Sequence, residues 1–173
     1  TAVFNAGRFL GIYNSSFTAN SGVSGGAAYN SDGLMDIVNS TISGNTASAN
    51  GGGVWSLDTN GNGTSRLTVI NSTITGNRLT NSAVTAQGGG IGEFATGVST
   101  TATNTVLINS IVAGNRQGPV GSDIANDYRA TNNIGNASLT MNVAQSVNNL
   151  IGSVAFAGGL VHNTNGNLVG NGA

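Results

Sequence analysis

The chain is 173 residues long, a length that suits one domain. Only 6% of its residues are charged, lysine is absent and the formal net charge is −1, so the basic patches that nucleic-acid binding needs are missing. No apolar run approaches the ~18 residues of a membrane helix, and without cysteine the redox compartment cannot be read from disulfides. Low charge with few aromatic residues would also suit a disordered chain, but 38% of the residues are apolar and they are regularly placed. A repeat that buries a narrow apolar core and shows neutral hydroxyl and amide groups to solvent fits better. The five arginines (Arg8, Arg66, Arg78, Arg116 and Arg129) are scattered.

Residues 1–13 carry apolar positions at Val3, Phe4, Phe9, Leu10, Ile12 and Tyr13, and no helix start signal precedes them. They lead into Asn14-Ser15-Ser16-Phe17-Thr18-Ala19-Asn20. The phrase returns as Asn39-Ser40-Thr41-Ile42-Ser43-Gly44-Asn45, as Asn71-Ser72-Thr73-Ile74-Thr75-Gly76-Asn77 and as Asn109-Ser110-Ile111-Val112-Ala113-Gly114-Asn115. The shared pattern is Asn, Ser, any, apolar, any, Gly or Ala, Asn. Self-similarity at a period of roughly 20–50 residues marks a repeat architecture. Each later copy follows a short apolar run: Leu34-Met35-Asp36-Ile37-Val38, Leu67-Thr68-Val69-Ile70 and Val106-Leu107-Ile108. These runs are β-branched and lack a 3.6-residue period, so they read as strands. No helical segment lies between them, which excludes β-α-β units. Parallel stacking of equivalent strands, coil on coil, is the remaining way to bury them.

A second phrase follows each copy: Gly25-Gly26-Ala27, Gly51-Gly52-Gly53-Val54, Gly88-Gly89-Gly90-Ile91 and the degenerate Gly121-Ser122-Asp123-Ile124. The uneven spacing comes from loops of variable length between constant phrases. Gly25, Gly26, Gly52, Gly53, Gly89 and Gly90 are expected at a corner that needs φ > 0 or close backbone approach. A phosphate-cradling loop at Gly88-Gly89-Gly90 would need a following Lys and a helix, and neither is present.

Alternation sets side-chain direction. Phe17, Ile42, Ile74 and Val112 are expected to stack as a core column. Ser16, Thr18, Thr41, Ser43, Thr73 and Thr75 then point outward. Val69 and Ile70 are both apolar, and a bend at Asn71 would resolve their parity. The opening asparagines Asn14, Asn39, Asn71 and Asn109 are expected to form a column at that bend. Their amides offer donors and acceptors, so they could bond along the axis as a ladder. The alternative is that Asn there only tolerates the αL geometry of a turn.

Residues 57–66 contain Asp58-Thr59-Asn60-Gly61-Asn62-Gly63. Asp58, Asn60 and Asn62 match the opening of a calcium loop. The acidic residue that would close such a loop is missing, because Val69 stands there, and an Asn-Gly turn explains the same letters. Residues 95–105 read as an exposed loop. After residue 125 the heptad fades, and Asn149-Leu150-Ile151-Gly152 and Asn167-Leu168-Val169-Gly170 form a new phrase. The expected organisation is one solenoid domain over 1–173, with heptad and glycine repeats over 1–125 and shorter, degenerate coils over 126–173.

Phe17-Thr18-Ala19-Asn20 followed by Gly25-Gly26-Ala27 resembles the paired FxxN and GG[ALVI] phrases of polymorphic outer-membrane protein repeats. Ile42-Ser43-Gly44-Asn45 with Gly52-Gly53-Val54, and Ile74-Thr75-Gly76-Asn77 with Gly89-Gly90-Ile91, are similar to the same pair with Ile for Phe. The resemblance covers about residues 9–125. It implies an all-β, right-handed, single-stranded parallel β-helix of roughly six to eight coils, secreted and carried on adhesins or other large surface proteins. The family has no catalytic residues to transfer.

Parallel β-helices also host polysaccharide lyases and hydrolases, which need a carboxylate pair or a base. The acidic residues are Asp32, Asp36, Asp58, Glu93, Asp123 and Asp127. The close pairs Asp123 and Asp127, and Asp32 and Asp36, do not fall at equivalent positions of adjacent coils, and they read as solvated loop carboxylates. His162 has no recognisable nucleophile beside it. Trp55 could stack on a sugar or cover a corner of the core. The expectation is a non-enzyme with no cofactor and no metal. Its function would be that of an extracellular structural or adhesive solenoid. A carbohydrate-binding or pectate-lyase-like module is the alternative. Ice binding would want a regular Thr array, and the outward row Ser16, Thr41, Thr73, Ile111 breaks at its fourth copy.

The start at Thr1 without Met reads as a processed or excised piece, and no capping segment is legible at either end. Uncapped coils expose strand edges that template pairing. The expected partner is therefore a second copy, stacked head to tail, with cell-surface glycans as a further possible partner and no membrane insertion of this segment.

Overall fold

The computed structural model describes residues 1–59, 65–81, 88–95, 105–118, 124–125, 128–132, 141–153 and 157–170. Among these the fold is all-β, with no helix. The chain first lays down β1 (Val3–Ala6), β2 (Phe9–Tyr13), β3 (Ser16–Thr18) and β4 (Ser21–Ser24). A second pass gives β5 (Ala28–Ser31), β6 (Leu34–Val38), β7 (Thr41–Ser43) and β8 (Thr46–Asn50). A third gives β9 (Val54–Asp58), β10 (Arg66–Ile70), β11 (Thr73–Thr75) and β12 (Arg78–Leu79). A fourth gives β13 (Ile91–Ala95), β14 (Thr105–Ile108), β15 (Ile111–Ala113) and β16 (Arg116–Gln117). β17 (Ile124–Ala125), β18 (Tyr128–Asn132), β19 (Leu150–Ile151) and β20 (Leu168–Val169) follow.

Each pass visits four sheets in the same order. Sheet A is β1-β5-β9-β13-β18, sheet B is β2-β6-β10-β14, sheet C is β3-β7-β11-β15-β19-β20 and sheet D is β4-β8-β12-β16-β17. Paired strands are parallel except at β16 and β17, which run antiparallel. This arrangement is compatible with the coil-on-coil stacking of a β-solenoid.

The heptad turns out to be one short strand held between two left-handed corners. Asn14, Asn39, Asn71 and Asn109 make the corner from sheet B to sheet C, with φ of 49°, 50°, 49° and 48°. Ala19, Gly44, Gly76 and Gly114 make the corner from sheet C to sheet D, with φ of 56°, 64°, 63° and 71°. Four residues span the gap, the last three of them forming β3, β7, β11 or β15. The spacing across sheets B, C and D is therefore the same in all four passes. The other corners drift in length: Ala6 leads to Phe9 and Ser31 to Leu34, but Asp58 leads to Arg66 and Ala95 to Thr105.

The core is a set of stacked columns. Sheet C aligns Phe17, Ile42, Ile74, Val112, Ile151 and Val169. Ile42, Ile74 and Val112 are fully buried, and Phe17 is half-buried against the same cluster. Sheet B contributes Ile12, Ile37, Val69 and Leu107 in register. Val69 is buried while Ile70 is only partly so, and the αL corner at Asn71 resets the alternation that follows. Each such aliphatic side chain contributes about 1.5–3 kcal/mol on burial.

The glycine phrases differ in register from the expectation. Strand pairing aligns Ala28, Val54 and Ile91, so the true equivalents are Gly25, Gly51 and Gly88, followed by Gly26, Gly52 and Gly89. The first set has positive φ, at 62°, 56° and 66°. The second set is pressed between coils: a Cβ on Gly52 would lie 2.1 Å from the Gly89 carbonyl oxygen. Gly53 and Gly90 thus belong with Ala27 at the third place, where a side chain is admitted in the first copy.

Candidate functional site

The amide ladder lies at the other end of the heptad from where the opening asparagines suggested it. Asn20 Nδ2 donates to Asn45 Oδ1 at 3.0 Å, Asn45 Nδ2 to Asn77 Oδ1 at 2.9 Å and Asn77 Nδ2 to Asn115 Oδ1 at 2.9 Å. The backbone N–H of Asn20, Asn45 and Asn77 donates to the same oxygens at 2.9, 3.0 and 3.0 Å. The second amide hydrogen runs back to a carbonyl of the coil below, from Asn45 to Phe17, Asn77 to Ile42 and Asn115 to Ile74. Asn45, Asn77 and Asn115 are buried, so this saturation removes the cost of leaving amide groups dry and unpaired.

Asn14, Asn39, Asn71 and Asn109 are exposed instead. One rung joins them, from Asn109 Nδ2 to Asn71 Oδ1 at 2.8 Å. Their main role is the positive φ that Asn tolerates better than most residues. The next residue carries a second ladder: the N–H of Ser15, Ser40 and Ser72 donates to Oγ of Ser40, Ser72 and Ser110 at 3.1, 3.0 and 3.2 Å. Above Ser110 the ladder changes residue type. Ser110 N–H donates to Asn149 Oδ1 at 2.9 Å, and Asn149 Nδ2 donates to Asn167 Oδ1 at 2.9 Å. The late phrase at 149–152 and 167–170 therefore continues the heptad column with amide in place of hydroxyl.

A third polar column fills the inner corner between sheets A and B. Asn5 Nδ2 donates to Asn30 Oδ1 at 2.8 Å, and Asn30 Nδ2 reaches Ser65 Oγ at 3.1 Å. Ser56 Oγ and Ser65 Oγ are 3.0 Å apart. One coil further on, Thr105 Oγ1 donates to Glu93 Oε1. Glu93 is in register with Ser56, and Asp58 with Ala95. Both carboxylates are about 1% exposed. These two acids face the interior, on neighbouring strands. Asp32 sits at the outer side of the same corner and accepts from Thr59 N–H and Thr59 Oγ1, each at 2.6 Å.

Asn60 and Asn62 of the calcium-loop reading, and Asp123 and Asp127, lie outside the described residues. Asp58 is buried, at the end of β9. Among the described residues no three His, Cys, Asp or Glu side chains gather as a metal site. His162 Nδ1 accepts from Val169 N–H at 3.1 Å. Trp55 is 4% exposed, too covered to stack on a ligand. It belongs to an outward row of sheet A with Phe4 and Tyr29, in which Phe4 meets Tyr29 edge to face at 5.0 Å. Burial raises the Tyr29 phenol pKa, while side-chain hydrogen bonds with Ser31 and Trp55 pull it down.

No family model, curated protein or solved structure matches the chain. The functional reading therefore rests on the residues. The closing asparagines were as regular in the sequence as the opening ones. The missed signal was Gly44, Gly76 and Gly114: once these are corners, the alternation restarts and turns Asn45, Asn77 and Asn115 inward.

Proposed function

We propose that the chain is a right-handed parallel β-helix of roughly six to eight coils, serving as a structural segment of an extracellular stalk or filament. The observation that carries this reading is the direction of the ladders. In the ladder of closing asparagines each N–H and each rung-forming amide hydrogen points toward the later coil, and each accepting oxygen points back. At the first coil Asn20 Oδ1 therefore has no donor among the described residues, and β1 to β4 each pair on one side. Thr1 covers part of this edge through Ser21 O and Ser24 O of β4, and the rest is open to another coil, from the same chain or from a second copy. A contact of this kind is head to tail and grows as an open rod unless its rotation closes a ring. The low charge supports the same reading, since charged side chains are a common guard on an open strand edge. Secretion and display at a cell surface go with the neutral amide and hydroxyl exterior.

Light scattering across a concentration series, with negative-stain electron microscopy, tests the proposal. Rods that lengthen with concentration and carry the ~4.8 Å axial strand repeat are expected. A stable monomer at high concentration, with both end coils covered by loops of the same chain, overturns it.

A further inference from the structure

The outer face of sheet B holds two free positive charges. Arg8 stands just before β2 and Arg66 opens β10, and both are exposed. Arg78 donates to Gly118 O at 2.9 Å, and Arg116 is also engaged. Arg8 and Arg66 have no such side-chain partner among the described residues. Both line one groove of about 550 Å³, together with Phe9, Asp32 and Leu34. A second groove of about 500 Å³ begins at the same Arg66 and continues past Thr68 and Val106 to Gln145 and Val147.

Strand register makes these one trough. Phe9, Leu34 and Arg66 form an outward row across β2, β6 and β10. β14 continues the sheet beside β10, and Val147 bridges to Ile108 beyond it. Five strand levels at ~4.8 Å spacing give a length of roughly 19 Å. A trough of that length, open along one side, suits an extended chain better than a small molecule, which needs enclosure. Phe9 is 58% exposed and offers a bare ring face. The carboxylate of Asp32 is already held by Thr59, whereas neither guanidinium is held by a side chain among the described residues. Asp36 lies in the next row, in register with Thr68, so an anion is steered to the Arg8 and Arg66 side. Two arginines on a chain of net charge −1 are too few for nucleic acid, whose binding rests on many phosphate contacts.

We propose that this trough binds an extended acidic polysaccharide, with sugar carboxylates on Arg8 and Arg66 and sugar rings over Phe9 and Leu34. The planar guanidinium fork matches a carboxylate in two parallel hydrogen bonds, which a hydroxyl cannot reproduce. The proposal goes beyond the structural role and does not depend on end-to-end stacking.

The test is calorimetric titration with oligogalacturonate, its fully methyl-esterified counterpart and dextran sulfate, at low and high salt. Arg8→Gln with Arg66→Gln, and Phe9→Ala, are compared with the unaltered chain, and thermal melts check that each variant folds. The acid oligomer is expected to bind, to weaken with salt, and to lose roughly tenfold or more in affinity with the double arginine variant. Weaker binding by Phe9→Ala would support ring stacking. Equal binding of the ester, undiminished binding by a folded double variant, preference for the sulfated polymer, or no binding of the acid oligomer overturns the proposal.

Discussion

Asn77 gives its backbone N–H and its side-chain amide to one and the same oxygen, Oδ1 of Asn115, at 3.0 and 2.9 Å. That pairing ties the conformation of a corner to the position of the next coil. It makes the closing asparagine a test of what holds the stack together.

Asn77→Ala should be among the most damaging polar substitutions. It leaves the N–H and Nδ2 of Asn45 without their acceptor and strips donors from Ile42 O and Asn115 Oδ1. Unpaired buried groups cost about 1–3 kcal/mol each, so a loss on the order of 3 kcal/mol or more is expected. Asn71→Ala, at an exposed αL corner, should cost only about 1–2 kcal/mol. Urea melts of the two variants decide the order, and equal losses would contradict it.

Ile74→Asp should prevent stable folding, because it places a charge in a fully buried column. Thr73→Asp changes the partly exposed neighbour on the opposite face and should cost under ~1 kcal/mol. Circular dichroism melts of both variants check the face assignment.

Gly52→Ala and Gly44→Ala separate two reasons for glycine. At Gly44 an added Cβ meets nothing within 4 Å, so only the backbone penalty of roughly 1–2 kcal/mol applies, and Ala19 already occupies the equivalent place. At Gly52 the Cβ would collide with the Gly89 carbonyl at 2.1 Å, which forces neighbouring coils apart. The Gly52 variant should melt well below the Gly44 variant.

Tyr29 should make the fold sensitive to alkali. Its pKa is raised above the ordinary tyrosine value of about 10, chiefly by burial. The unfolded chain therefore releases the phenol proton first. The Tyr29 contribution is fully present below pH 10, and is lost as pH rises from there through the folded pKa. Melting temperatures measured across that range should fall less steeply for Tyr29→Phe.

Much of the fold was legible because the repeat is local. Ile42, Ile74 and Val112 could be assigned to one column from alternation within a single heptad. The strands of sheet C follow from the same seven letters. The ladder was harder to read because two asparagines bracket each heptad and both types satisfy the same composition rule. Only the positive φ at Gly44, Gly76 and Gly114 distinguishes inward from outward. The buried acids were missed for a different reason. Glu93 meets Thr105 across a corner, and no periodicity within one coil shows that contact. The trough on sheet B was equally hidden, since Arg8 and Arg66 are far apart in sequence and line one groove only because their strands stack.

The unequal corners divide the molecule into a half that keeps a fixed measure and a half that does not. Residues 34–47 and 66–79 repeat residue for residue over sheets B, C and D, while Asp58 to Arg66 and Leu79 to Ile91 absorb the extra length. A single residue added within 71–77 would displace two corners and shift Ile74 and Asn77 against both neighbouring coils. The same residue added after Asp58 or after Leu79 shifts no rung at all. Extra chain length can therefore be taken up at the corners beside sheet A, while the stretch over sheets B, C and D keeps the register of its neighbours.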